Sequence, residues 1–344
     1  MPYNHGMSQL TIVLPFALPA PEFAADLVGA LEAPALAALL SRTSSAVRHA
    51  HDGTMRALPH ELWLADTLGL RRDGLPAFAR AAMRGFGFDP ADGSWFIVNP
   101  AHIEIARSHL LMPDLRQLVL AEDEARALFD AARESFAEAG HELLYGDAGT
   151  WFMRADGWAG MDTATPDMAV GMNLNDCMPE GPHARAYRKL QNEVQMLWYA
   201  HPANAAREAR RQAPVNAFWL WGGAGPGAEA GARAGLVAYA TPGWMTGLAG
   251  RALPALSGFA PAGDTMLVCG NVAGPAIGAD WSAWLAQMQQ LEAELFAPLL
   301  GAVKSGAVRQ LRMVLSHRGA HAEFTTTAMA QRKFWRRPTL DALK

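Results

Sequence analysis

A chain of 344 residues that is 51% hydrophobic can bury a large core, and its length favours two domains over one. The formal net charge of −4 gives no bulk attraction to nucleic acid or to an anionic membrane. Two cysteines, Cys177 and Cys269, stand far apart in no metal-type spacing, which argues against a disulfide scaffold or a cysteine zinc site and fits free thiols in a reducing cytoplasm.

No apolar run approaches the roughly 20 residues that span a bilayer. Residues 10–20 are apolar, but Pro15 and Pro19 interrupt them and no basic stretch precedes them, so a signal peptide is not expected. Residues 10–16 (LTIVLPF) read as a fully buried strand, and residues 22–40 as an Ala/Leu-rich helix pair broken near Pro34. His49, His51 and Asp52 form a cluster of metal-ligand types, for which a solvated loop closed by Gly53 is the preferred reading. Residues 59–70 read as a short helix and Trp95 to Val98 as a strand. From Glu122 to Ala139 one stripe of Ala125, Leu128, Phe129, Ala132 and Phe136 predicts an amphipathic helix, with Gly140 past its end.

Residues 141–180 lack long periodic runs and read as short strands and loops, closed by a helix over 183–199. Pro202 ends that helix, and an Arg-rich connector leads to the apolar run Val215 to Trp221, read as a central buried strand. The following GGAGPG can cradle a phosphate on backbone N–H groups. Pro226 removes one donor, however, and no Lys-Ser/Thr follows, so a flexible loop over 222–235 is preferred. Leu236 to Ala240, Thr265 to Cys269 and Val308 to Leu315 read as further strands, and Asp280 as the cap of a helix. Strands alternating with helices predict an α/β fold, a mostly parallel sheet with helices on both faces. Ligands then bind beyond the carboxyl ends of the strands.

Residues 201–223, HPANAAREARRQAPVNAFWLWGG, resemble the segment of the archaeal-type cofactor-independent phosphoglycerate mutases that ends their inserted domain and re-enters the phosphatase-like core. They are more similar still to the bacterial RpfE-type regulatory proteins, which share that ancestry. The resemblance covers 118–335 well and 10–70 weakly. It implies an alkaline phosphatase-like core from 1–117 and 211–344, with a smaller α+β domain inserted at 118–210. In that family two divalent metals sit at the strand ends on Asp and His side chains, and a Ser between them carries the phosphoryl group. The metals neutralise the phosphate and help deprotonate the nucleophile.

This chain departs from that pattern. LPFALP follows the first strand without a carboxylate, and Pro59-His60-Glu61 stands where the family has Gly-Ser-Asp. Asn271 and neutral neighbours follow Cys269, the Asp-His pair is Ser316-His317, and the later His is a Thr within Thr325-Thr326-Thr327. One imidazole does not hold two hard cations. The two-metal site is therefore expected to be absent, and neither metal nor cofactor is assigned.

Three functions stay open. The first is a non-catalytic regulatory or binding protein of the cytoplasm, taking a small phosphorylated or anionic ligand in an interdomain cleft, or a protein partner. Its ligand residues are His201, Asn204, Arg207, Gly222, Gly223, Asn271 and His317, with Arg207 as a bidentate donor. The plain alternative for His201, Asn204 and Arg207 is a hydrogen-bonded hinge. Trp219, Trp221 and Trp244 offer either an apolar wall or ordinary core. The second is an enzyme, a phosphoglycerate mutase or phosphatase-type hydrolase, with His60, Glu61, Asn271, Ser316, His317, His321 and Glu323 as its groups. Ser316 and His317 are adjacent, so on a strand they face opposite sides. The third is a nucleic-acid-binding regulator using the basic, aromatic tail Arg332, Lys333, Trp335, Arg336 and Arg337. Contact with a membrane is not expected.

Overall fold

A computed structural model describes residues 8–106, 109–227, 235–261 and 263–344. Its first strands are β1 (Ser8–Leu14), β2 (Ser45–Ala50), β3 (Arg71–Arg72), β4 (Leu75–Pro76) and β5 (Trp95–Ala101). Next come β6 (Glu104–Ala106), β7 (His109–Leu111), β8 (Glu142–Asp147), β9 (Thr150–Arg154) and β10 (Ala217–Ala224). The last are β11 (Leu236–Tyr239), β12 (Arg251–Leu253), β13 (Thr265–Cys269), β14 (Val308–His317) and β15 (Ala320–Thr327).

The chain divides into two compact units. Unit 1 takes Met1–Met55, Arg233–Thr241 and Ala249–Lys344, and unit 2 takes Arg56–Ala232 and Pro242–Leu248. The expected boundaries at 117/118 and 210/211 are not the ones observed. Residues 56–117 stay with 118–210 because β5 is laddered between β10 and β9, both antiparallel to it.

Unit 1 is built on a seven-stranded sheet of order β12-β11-β13-β1-β14-β15-β2. The five strands from β12 to β14 are parallel, and β15 and β2 are antiparallel additions at one edge. Parallel strands covered on both faces are apolar at nearly every position, which is why β1, β11, β13 and β14 were legible as runs. Leu10, Ile12 and Leu14 of β1 enter a core with Leu267, Met313 and Leu315 and with Trp284, Met288 and Leu291 of the helix Trp281–Leu291. Asp280 caps that helix by accepting from the Ala283 N–H at 2.9 Å. The break at Pro34 also has a partner: the Glu292 carboxylate accepts from the N–H groups of Ala35 and Leu36, at 2.6 and 3.0 Å, at the start of the helix Pro34–Ser41.

Two expectations in this unit are corrected. His49 lies in strand β2 rather than a loop, because β2 pairs with β15 from Ser45↔Thr325 to Ala50↔Ala320. Strand β15 itself was not foreseen. It alternates Ala320, Ala322 and Phe324 inward against His321, Glu323 and Thr325, and alanines carry a weak apolar signal.

Unit 2 holds an antiparallel four-stranded sheet of order β10-β5-β9-β8. Of the run Val215 to Trp221, residues 217–221 are buried strand, but β10 lies at the edge of this sheet and not at the centre of the parallel one. The helices Glu122–Glu138 and Ala184–Tyr199 lay Leu128, Phe129 and Phe136, and Tyr187, Val194 and Trp198, into one core with Trp151 and Phe218. Burying each such side chain contributes about 1.5–3 kcal/mol, far more than the few tenths from the exposed Glu122–Arg126 pair. Their polar tips are satisfied: the Tyr187 hydroxyl donates to the Phe218 carbonyl at 3.1 Å and Trp198 Nε1 to that of Leu128 at 2.9 Å. The helices Ala79–Gly85 and Gly243–Leu248 meet backbone to backbone, since a Cβ on Gly85 would lie 1.7 Å from the Gly247 carbonyl oxygen. Among the described residues, no helix is long and apolar enough to cross a membrane.

Candidate functional site

A cleft of ≈ 220 Å³ opens within unit 2, and its polar groups come from the helix Pro59–Leu68, the turn Leu115–Gln117 and the short helix Pro166–Ala169. The helix Pro59–Leu68 begins with Pro59, pre-set for a first turn, and carries Glu61 two residues on. Glu61 Oε2 accepts from the Leu58 N–H at 2.7 Å and from Thr165 Oγ1 at 2.6 Å. The side chain is buried, and burial, then the charge of Asp167, push its carboxyl up to about 8, with the two hydrogen bonds partly opposing. At neutral pH the group is thus mostly an uncharged acid, able to donate a hydrogen bond.

Beside it a turn at Leu115–Gln117 is capped by Asp114, whose Oδ1 accepts from the Arg116 N–H at 3.0 Å. The Arg116 guanidinium donates to Asp114 Oδ1 at 2.9 Å and, as a fork, to Asp167 Oδ1 and Oδ2 at 2.8 and 2.6 Å. Burial works against its charge, but the two carboxylates outweigh that and hold it protonated above its ordinary range. With Glu61 neutral, two carboxylates face one guanidinium, so the local field does not favour an anion.

The walls are apolar. Trp244 stacks on Phe78 with ring centroids 5.4 Å apart and meets Trp221 edge-on at 4.9 Å. Asn99 is locked, donating to the Gly149 carbonyl at 2.7 Å and accepting from Trp221 Nε1 at 2.6 Å. At the rim a Cβ on Gly243 would lie 1.9 Å from Asp147 Oδ2, so that side chain would have to move. Of the expected tryptophans, Trp219 and Trp221 are core and Trp244 lines the cleft.

The foreseen candidates scatter. His60 and Glu61 sit together on one helix of unit 2, both buried. His201, Asn204 and Arg207 are also in unit 2, whereas Asn271, Ser316, His317 and His321 are in unit 1. The anion-binding reading of Arg207 is corrected. It is 1% exposed and donates to the carbonyls of Leu118 at 2.6 Å, Val119 at 3.1 Å and Ala213 at 2.8 Å, and to Glu124 at 2.8 Å. Asn204 likewise pairs with the backbone of Trp198 and Val215, and His201 Nδ1 caps its own helix by accepting from the Ala203 N–H. These three brace unit 2.

Gly222 and Gly223 lie inside β10 rather than in a loop after it. A Cβ on Gly223 would strike the Phe96 ring at 2.5 Å, which explains that glycine without a phosphate. Gly223 and Gly225 do line a second cleft of ≈ 440 Å³ with Arg72 and Asp162, while 228–234 of the expected glycine loop lie outside the described residues.

In unit 1, Asn271 Nδ2 donates to Gln287 Oε1 at 2.9 Å, and His317 Nδ1 accepts from the Gly319 N–H at 2.9 Å. Ser316 is fully buried and its Oγ accepts from the Phe16 N–H at 3.3 Å, a poor setting for a nucleophile. His321 stands opposite Ser316 in the β14–β15 register, but its ring nitrogens point at His51, 2.8 Å away, and Glu323, 3.4 Å away. Burial first, then His51 and His49, hold the His321 imidazole below its ordinary value, while Glu323 raises it. Among the described residues, His49, His321 and Glu323 offer ligand atoms within 4.8 Å of one another, a grouping apart from the positions of the family's two-metal site. In the tail, Lys333 and Arg336 donate to the carbonyls of Thr43 and Ser41, so part of its basic charge is tied to unit 1.

Arg116, Asp114 and Asp167 were missed by sequence reasoning. No motif marks them, and Asp167 joins Arg116 only through the fold, 51 residues on.

No family model matches the chain, and no curated protein does. Among solved structures, the PH0037 protein from Pyrococcus horikoshii overlays with a TM-score of 0.57 at 11% identity, over 98% of this chain and 92% of that one. A cofactor-independent phosphoglycerate mutase from Thermoplasma acidophilum DSM 1728 overlays with a TM-score of 0.47 at 14% identity, over 98% of this chain and 94% of that one. The first of these overlays shows a shared fold, a mixed α/β architecture on a largely parallel central sheet.

Proposed function

We propose that this chain is a small-molecule-binding protein whose ligand site is the unit 2 cleft, and that it takes a neutral, largely apolar molecule bearing a hydrogen-bond acceptor. The observation that carries the reading is Glu61, a buried carboxyl pushed up to about 8 beside a guanidinium already held by two aspartates. A protonated acid in an apolar cleft with few converging polar groups is the usual make-up of a small-ligand site. The binding, non-catalytic role implied by the RpfE-type resemblance fits this reading. The anionic ligand does not, because the guanidinium in the cleft is already held by Asp114 and Asp167.

A second reading is favoured by the same residue. An acid that titrates near neutrality is suited to general-acid catalysis, and the cleft would then turn its ligand over. The two are separated by calorimetric titration of neutral carbonyl compounds and matched phosphate esters at pH 6.5 and pH 9, with product analysis of each mixture. Binding of the carbonyl compounds should weaken about tenfold at the higher pH as the acid form is depleted. Tighter binding of the phosphate esters would sink the proposal, and turnover would move it to the second reading. Conversion of 3-phosphoglycerate that stops on adding a chelator would restore the mutase instead.

A further inference from the structure

The cleft leaves unexplained a cluster in unit 1 where four metal-ligand side chains share one edge of the sheet. His49 of β2 and His321 of β15 are directly opposite in the antiparallel register, with ring centroids 4.7 Å apart and planes at 26°. Glu323 follows His321 by two residues and so projects from the same face. His51 lies just past the end of β2, its N–H bonded to the Gly319 carbonyl at 2.9 Å, and its Nε2 reaches His321 Nδ1.

We propose that His49 Nε2, His321 Nε2 and Glu323 Oε1 bind a divalent transition-metal ion of the zinc class, a site independent of the cleft and of its proposed function. The distances fit donor atoms placed around one ion. His321 Nε2 lies 3.4 Å from Glu323 Oε1, longer than the usual N–H···O range. Two donor atoms each about 2.1 Å from a tetrahedral zinc ion stand about 3.4 Å apart. His49 Nε2 is 3.9 Å from the same oxygen, and its half-exposed ring has room to turn toward it.

The surrounding contacts suit ligands held in position. Glu323 Oε2 accepts from Arg312 Nε at 2.8 Å, and Oε1 lies toward the two imidazoles. His321 Nδ1 at 2.8 Å from His51 Nε2 fixes the ring, and with the proton on Nδ1 the Nε2 lone pair faces the site. Two nitrogens and one carboxylate oxygen suit zinc or its neighbours better than magnesium or calcium, which prefer oxygen throughout. Two paired strands carry all three donors, so the geometry does not depend on a loop.

The test uses the full chain without a histidine tag, stripped with a chelator and titrated with Co²⁺ by visible absorption, then with Zn²⁺ in competition. One ion per chain is expected, with affinity falling at least tenfold in Glu323→Gln and in His49→Ala. His49 is exposed, so its variant keeps the fold even where His321→Ala does not. The absence of stoichiometric binding, binding unchanged in both variants, or loss of binding in the remote control His102→Ala would overturn the proposal.

Discussion

Arg116 grips both oxygens of Asp167, at 2.8 and 2.6 Å, while the same guanidinium reaches Asp114. Asp114 is almost wholly buried, so removing the cation leaves a carboxylate that water does not reach. Arg116→Ala should therefore lower stability by about 3 kcal/mol, read as an earlier urea midpoint with unchanged slope. An unshifted midpoint would mean that water already solvates the pair.

Glu61 gives unit 2 a pH dependence of definite sign. Its carboxyl moves from the ordinary 4.5 to about 8 on folding, so between those values the folded chain holds a proton that the unfolded chain has released. Its contribution is full below pH 4.5 and drains away as the pH climbs to 8. Glu61→Gln, which keeps an acceptor for Leu58 and Thr165, should flatten the melting temperature over that window. Parallel profiles for the two proteins would count against a buried acid.

Close approach of the helices Ala79–Gly85 and Gly243–Leu248 rests on the missing side chains. Gly85→Ala must push the Gly247 carbonyl away, and overpacking of this kind costs about 1–3 kcal/mol. Gly87, where an added Cβ meets nothing within 4 Å but φ is +83°, is the comparison: its Ala variant tests backbone strain without a clash. Chemical denaturation of the pair should show the larger loss at Gly85.

The structural role given to Arg207 is equally open to trial. Arg207→Ala strips hydrogen bonds from the carbonyls of Leu118, Val119 and Ala213 and takes from Glu124 one of its two cationic partners among the described residues. A loss of about 3 kcal/mol is expected, with Arg207→Lys recovering only a part. Stability that survives the alanine change would return this arginine to the list of ligand residues.

Much of unit 1 was readable because parallel strands such as LTIVL and TMLVC are apolar at almost every position. The amphipathic helix Glu122–Glu138 was readable from its stripe. Strand β15 was not, since its inward face is largely alanine, and β2 was not, since all six of its residues are exposed. The sheet to which β10 belongs depends on partners more than a hundred positions away, at β5, and a single run of hydrophobics names no partner. The site suffered the same limit. Glu61 was singled out, but the groups that tune it, Asp167 and Thr165, reach it only through folding. His49 and His321 were noted separately, and only the ladder between them makes a pair.

The middle strand of the large sheet is also the earliest to be made. Leu10 lies between Thr265 and Leu311, so a ribosome releases this sticky segment long before either neighbour has been translated. Closure of unit 1 must wait for β13 and β14, and pairing over so long a separation slows folding.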